Sequence, residues 1–163
     1  MKYTKQLLFI VWLSVVIFST DAFGSEVDLR INDVGLGTSY ETVVKNLGKP
    51  LKSKKIRQIL ECSDNEPYTQ LTLTYPGLII ELWNIEDTRK FNVLSIGFTS
   101  DGKWAVSGLK IGATQKETIA RLGKPTYNSK SSLSYVNKDN DGFAEFKFKG
   151  GKLVSVEWGS AIC

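Results

Sequence analysis

Few residues in this chain could do chemistry, and serine-lysine pairs come first. Ser100-Asp101-Gly102-Lys103 and Ser107-Gly108-Leu109-Lys110 both fit S-x-x-K, and Ser63-Asp64-Asn65 fits the S-D-N element that accompanies it in one class of serine hydrolases. A Ser-Lys pair is the one nucleophile arrangement still open, because the chain has no histidine. That absence removes imidazole general bases, Ser-His and Cys-His pairs and imidazole metal ligands. Neither serine is well placed. The nucleophile belongs at the start of a buried helix, whereas Ser100 precedes an Asp-Gly turn and Ser107 an expected extended segment. There is no Lys-Thr-Gly, and the elements run in reversed order. A small Ser-Lys hydrolase is therefore the weaker reading, and turn chemistry accounts for both serines.

The other candidates reduce to structure in the same way. Asn137, Asp139 and Asp141-Gly142 are spaced like the start of a calcium loop, but its twelfth position is Phe148 where a bidentate glutamate is needed. A polar hairpin turning at Asp-Gly is expected, with no metal and no cofactor. Gly35 and Gly37 precede an expected helix without the lysine of a phosphate-binding loop. Cys62 and Cys163 are the only cysteines. Without a histidine neither makes a plausible catalytic thiol, and in an oxidising compartment they are expected to form a disulfide. Closing a loop of about 100 residues stabilises by up to roughly 4.7 kcal/mol in the chain-entropy treatment. The chain reads as no enzyme.

The N-terminus indicates where such a disulfide could form. Lys2 and Lys5 precede the apolar run Leu7 to Phe18, followed by polar Ser19 to Asp21 and then Ala22-Phe23-Gly24. A charged start, a short apolar stretch and small residues before a cut near Gly24 form a secretory signal over residues 1–24. The run is too short to span a bilayer comfortably, which takes roughly 20 residues. The expectation is a periplasmic or secreted bacterial protein from Ser25, with no membrane anchor after cleavage. The net charge of the 163-residue chain is +4 at pH 7, and losing Lys2, Lys5 and Asp21 lowers it by one. The longest basic cluster is Lys52-Ser53-Lys54-Lys55-Ile56-Arg57, read here as a solvated loop after a helix. So small a surplus argues against nucleic acid as partner.

An internal repeat organises the rest. At an offset of 75, Val34 to Ser39 aligns with Leu109 to Thr114, and Val44-Lys45-Asn46-Leu47-Gly48-Lys49-Pro50 with Ile119-Ala120-Arg121-Leu122-Gly123-Lys124-Pro125. Each copy predicts a short helix. Ser39 and Thr114 are its N-caps, with Glu117 completing a capping box in the second, Gly48 and Gly123 end it, and Pro50 and Pro125 forbid continuation. Period-two alternation then predicts strands around 70–75, 78–83, 93–98, 133–135, 143–148 and 153–158, with turns at Pro76-Gly77, Asp141-Gly142 and Gly150-Gly151. The fold class is α+β: two tandem repeats, residues 25–103 and 104–163, each a short helix plus a three- or four-stranded antiparallel sheet, helices on one face.

Alternation also divides the strands into faces. Leu71, Leu73, Ile80, Leu82, Leu94, Ile96, Tyr135, Phe146, Phe148, Val154, Val156 and Trp158 fall on the helix side. Gln70, Thr72, Thr74, Ile79, Glu81, Trp83, Ser95, Ser134, Glu145, Lys147, Ser155 and Glu157 fall on the side left open. If the two sheets join edge to edge, these form one wide polar surface. Glu81, Trp83, Glu145 and Lys147 on that surface, with Trp104 in the junction from Thr99 to Ser107, are the candidate binding residues, since a tryptophan on a polar face can anchor an interface.

The pattern of a glycine, a capped helix, Leu-Gly-Lys-Pro and a short antiparallel sheet, twice at a period of 75, resembles the tandem repeats of the beta-lactamase inhibitor proteins. It also resembles the single repeat of the SmpA/OmlA-type outer-membrane assembly lipoproteins. The chain lacks the lipid-bearing cysteine of the latter and a clear disulfide within each repeat as in the former. The inhibitor resemblance implies protein binding through a concave sheet face. The expected function is an exported, non-catalytic module that inhibits or neutralises a partner enzyme. The alternative is a factor for cell-envelope assembly or maintenance, and the partner in either case is another exported or envelope protein.

Overall fold

The computed structural model describes residues 25–60, 66–85, 90–99, 103–137 and 142–161. The expected leader, Cys62 and Cys163 with their expected disulfide, Ser63 to Asn65, Ser100, Asp139 and Asp141 lie outside the described residues. In chain order the elements are β1 (Glu26–Val27), α1 (Tyr40–Leu47), β2 (Lys52–Leu60), β3 (Glu66–Tyr75), β4 (Leu78–Ile85), β5 (Asn92–Thr99), β6 (Ala105–Val106), β7 (Leu109–Lys110), α2 (Gln115–Leu122), β8 (Tyr127–Asn128), β9 (Ser132–Asn137), β10 (Gly142–Lys149) and β11 (Lys152–Ser160). With two short helices on an extensive sheet, the class is α+β. Among the described residues no helix is long and apolar enough to cross a membrane.

Both helices begin and end where their caps dictate. The Ser39 hydroxyl accepts from the Thr42 N–H at 3.4 Å. At α2 the Glu117 N–H donates to the Thr114 hydroxyl at 3.2 Å while the Thr114 N–H donates to the Glu117 carboxylate at 2.6 Å. Those donated hydrogen bonds hold the Glu117 carboxyl below the usual carboxylate range. Gly48 and Gly123 close the helices at φ of 83° and 87°, a left-handed backbone that glycine adopts without strain. At eight residues each, the helices need tertiary support. Val43 is wholly buried in the core, and Tyr40, Leu47, Ile119 and Leu122 pack against it.

Nine strands form one sheet in the order β1-β9-β10-β11-β5-β4-β3-β2, with β8 also on β9, and β6 and β7 pair as a separate hairpin. The seam is the antiparallel pairing of β5 with β11, from Ser155↔Thr99 to Gly159↔Ser95. Along one side of the seven antiparallel strands from β2 to β9 lie the wholly or nearly buried Leu73, Ile80, Leu82, Ile96, Phe98, Val156, Trp158, Phe146, Leu133 and Tyr135, a single continuous core with the helices. Each such side chain contributes about 1.5–3 kcal/mol of burial. Edge-to-face ring contacts, Phe98 with Trp158 at 6.4 Å and Tyr135 with Phe146 at 5.6 Å, carry the packing across the seam and beyond it.

Features recur on either side of the seam. Ser39 bridges to Asn92 at the start of β5, and Thr114 to Lys152 at the start of β11. The Tyr75 hydroxyl donates to the Gly48 carbonyl at 3.0 Å, and the Tyr135 hydroxyl to the Gly123 carbonyl at 3.2 Å. Burial raises the pKa of Tyr75, with Tyr40 adding to the effect, and pushes that of Tyr135 up to about 12. Ahead of each helix is a two-residue hairpin, Ile31 to Val34 and Val106 to Leu109, whose tip residues all have positive φ (Asn32 47°, Asp33 64°, Ser107 47°, Gly108 85°).

Along the strands the structure differs from the sequence expectation in three places. Lys52 to Arg57 is no loop but most of β2, a nine-residue edge strand. Its cations stand on both faces, which erases the alternation that marks a strand with one buried face. β5 and β11 each carry a bulge, with one extra residue opposite the Leu82 and Phe148 positions. Core places expected for Leu94 and Val154 are therefore taken by Val93 and Leu153. Leu94 is buried apart from the core cluster and Val154 is half-buried. Ser107 stands at the tip of the β6–β7 hairpin, ahead of the short strand β7 as expected. Finally, β1 runs parallel to β9, so residues 26–27 sit at the edge of the half formed by residues 104–161.

The open sheet face as candidate functional site

Because strand side chains alternate, the residues opposite the core line up in rows across the sheet. One row crosses eight strands: Tyr127, Ser134, Glu145, Glu157, Gly97, Ile79, Thr74 and Lys52. The next runs Val136, Phe143, Gly159, Ser95, Glu81, Thr72 and Lys54. A third, shorter, holds Asn92, Trp83, Gln70 and Ile56. No described element lies over this surface, and three of its large hydrophobic side chains are open to solvent, Ile79 at 49%, Phe143 at 48% and Tyr127 at 60%.

At the seam the middle of the first row is a glycine. A Cβ on Gly97 would have only the Val156 carbonyl oxygen for a neighbour, 3.9 Å away. The missing side chain leaves a groove of about 510 Å³ between Ile79 and Thr74 on one side and Ser155 and Glu157 on the other, with Glu81 and Ser95 at one end. The Ser95 hydroxyl donates to the Glu81 carboxylate at 3.0 Å and holds it against the groove. Glu145 stands directly opposite Glu157 and is paired with Lys147 at 3.1 Å, a largely exposed ion pair of small energetic value.

Trp83 is held by its neighbours on the same face. Its ring meets Tyr68 edge to face at 6.2 Å, the Tyr68 hydroxyl donates to the Gln58 side chain, and Gln58 Nε2 donates to Gln70 Oε1 at 3.1 Å. A half-buried indole fixed in this way loses little conformational entropy when a partner covers it.

Thus Glu81, Trp83, Glu145 and Lys147 share one surface. Trp104 does not join them. Its indole N–H donates to the Pro76 carbonyl at 2.7 Å, its ring packs edge to face on Tyr75 at 6.0 Å, and it lies against the core cluster on the helix side. Trp104 clamps the connection between the halves. The Ser107 hydroxyl is engaged by backbone, accepting from the Arg30 N–H at 3.4 Å and donating to the Asp28 carbonyl at 3.5 Å. Among the described residues it makes no hydrogen bond to Lys110, and no group of three or more metal-ligating side chains is gathered. Gly97 and Phe143 were not singled out from the sequence. The available signal was a glycine inside an alternating strand, which marks a bulge or a place left open for something else.

The chain matches no family model and, at a significant level, no curated protein or solved structure.

Proposed function

We propose that this chain is an exported, non-catalytic protein that binds a partner enzyme across the open sheet face and neutralises it, and that it is built from two copies of one helix-and-sheet unit. The observation that carries the binding reading is the continuity of the face: two halves joined at β5 and β11 leave one side, from β2 to β9, with no described element over it and with a groove at the joint. Ile79, 49% exposed in the groove wall, and the partly exposed Trp83 farther along the same strand give this face apolar contacts that solvation alone does not need. The two-copy reading draws support from the hairpin tips, N-caps and C-terminal glycines that recur 75 residues apart, and from the matched tyrosine hydrogen bonds and strand bulges. The sequence resemblance to inhibitor-type tandem repeats points the same way. The leader-like N-terminus and the two cysteines place the protein in the periplasm or outside the cell in this reading, with Cys62 and Cys163 joined.

The test is capture of partners from envelope and secreted fractions on the immobilised protein, alongside folded Trp83→Ala and Glu81→Lys variants. The expected result is a hydrolase retained by the parent, lost by both variants, and inhibited by stoichiometric addition of the protein. Equal capture by all three proteins, or a captured enzyme that keeps its full activity, would overturn the reading.

A further inference from the structure

The sheet treats its two edges differently. At one edge β9 is flanked by both β1 and β8. At the other, β2 pairs with β3 over nine consecutive residues, from Lys52↔Thr74 to Leu60↔Glu66, without a register shift. No described residue pairs with its outer side. Nine residues exceeds the usual strand of about five or six. A long, regular, uncovered edge is what proteins avoid, because alternate N–H and C=O groups point outward and template another strand. β2 contains no proline and no bulge. Its one guard is charge: Lys52, Lys54, Lys55 and Arg57 are exposed cations, and the strand has no acidic residue.

We propose that the β2 edge accepts an extended acidic segment of another protein, which adds to the sheet as a further strand. This site is the outer main-chain edge of β2 and does not depend on what binds the open face, although Lys52 and Lys54 end two rows of that face. Charge selects the occupant. A second copy of β2 would set these cations against their own kind, and like charges on adjacent strands are destabilising. A segment rich in Glu or Asp would meet cations on both faces: Lys52 and Lys54 in the open-face rows with Thr74 and Thr72, and Lys55 and Arg57 on the other side. Lys55 is already positioned, its Nζ 5.1 Å from the centre of the Phe91 ring. Further along, Ile59, 61% exposed, lines a shallow depression of about 440 Å³ with Arg57, Gln58 and Pro67, an apolar footing for one end of the guest strand. Main-chain hydrogen bonds would supply affinity and the four cations the choice of partner.

The probe is a nine-residue end-capped peptide of Glu, Val and Thr with glutamates at both odd and even positions, so that carboxylates fall on both faces of the added strand, titrated into the purified protein while backbone amide shifts and hydrogen exchange are followed. Amides of β2 should shift and gain protection, and those around Gly97 should not. The Lys54→Glu/Arg57→Glu variant should bind roughly tenfold more weakly, since two attractions become two repulsions. Both side chains are exposed, so its unfolding curve should match the parent's. The same peptide with Lys in place of Glu should not bind, and N-methylation at alternate peptide nitrogens should abolish binding. The proposal is overturned if the acidic peptide does not bind the folded parent, binds the double variant equally, perturbs amides elsewhere than β2, or if the protein alone dimerises through β2.

Discussion

Gly97→Val separates the groove's role in binding from its role in folding. Gly97 lies on β5 between Ile79 of β4 and Glu157 of β11, its φ is not in the left-handed region, and an added Cβ meets nothing closer than 3.9 Å. A valine should therefore fit without strain and remove the entropic cost of a strand glycine, about 0.5–1 kcal/mol. Contact with Ile79 across the strands adds a few tenths of a kcal/mol. The sum is about 1 kcal/mol of added stability, read as a rise of about 3–4 °C in melting temperature for a chain of this size. The same valine occupies the groove, so capture of the partner should fall at least tenfold. Urea and thermal unfolding measure the first effect, and retention on the immobilised protein the second. Gly142→Ala is the contrasting control, since its Cβ would collide with the Gly159 carbonyl across the β10 and β11 pair and should destabilise by about 2 kcal/mol or more. A loss of more than 1 kcal/mol in Gly97→Val would show the notch to be a close approach of backbone and not an open site. A stabilised variant that still retains its partner would show the groove to be unused.

Tyr75→Phe and Tyr135→Phe should each cost about 1 kcal/mol in urea unfolding, because each strands a glycine carbonyl at the end of a helix. The two losses should add, since the sites share no partner, and strong coupling between them would contradict independent helix anchors. Thr114→Ala should cost about 1 kcal/mol through the lost cap. The Glu117 pKa is depressed in the folded state, so its contribution is present above the ordinary carboxylate pKa and lost as pH falls through the folded value. Thr114→Ala should shrink that acid limb of the stability profile without abolishing it, because the Thr114 N–H, the larger cause, still donates to the carboxylate while the hydroxyl is lost. Tyr135 behaves oppositely. Its folded pKa of about 12 lies above the unfolded value near 10, so its contribution is whole below pH 10 and lost as pH rises toward 12, an alkaline limb that Tyr135→Phe should reduce.

What could be read from the sequence was whatever has a local chemical signature. Ser39, Thr114, Glu117, Gly48 and Gly123 announce the helices because capping is settled within a few residues, and the turns at Pro76-Gly77 and Gly150-Gly151 follow from positive φ at Gly77, Gly150 and Gly151. The open-face rows followed from period-two alternation wherever a strand has one buried side. Alternation fails where the physics is not local. β2 is exposed on both faces from Lys52 to Lys55 and becomes buried only at Leu60, so no period marks its first half, and a bulge at Leu94 or Val154 is a property of two strands together. The placement of β1 on β9 joins residues more than a hundred apart, and nothing in Glu26-Val27 says so. Trp104 was counted among the binding residues from its place in the junction, and an indole there reads the same in the sequence whether a partner or the chain's own Tyr75 and Pro76 carbonyl meet it, as these two do.

The parallel pairing of Glu26 with Val136 also bears on when the molecule can finish folding. The first described strand waits for β9, and the seam waits for β11, which ends at Ser160. A chain emerging from the ribosome cannot complete either contact until nearly all of it has been made. Pairings so distant in sequence make folding slow, on the order of milliseconds to seconds. That delay leaves an interval in which the chain is still threadable, which is what the proposed export would require.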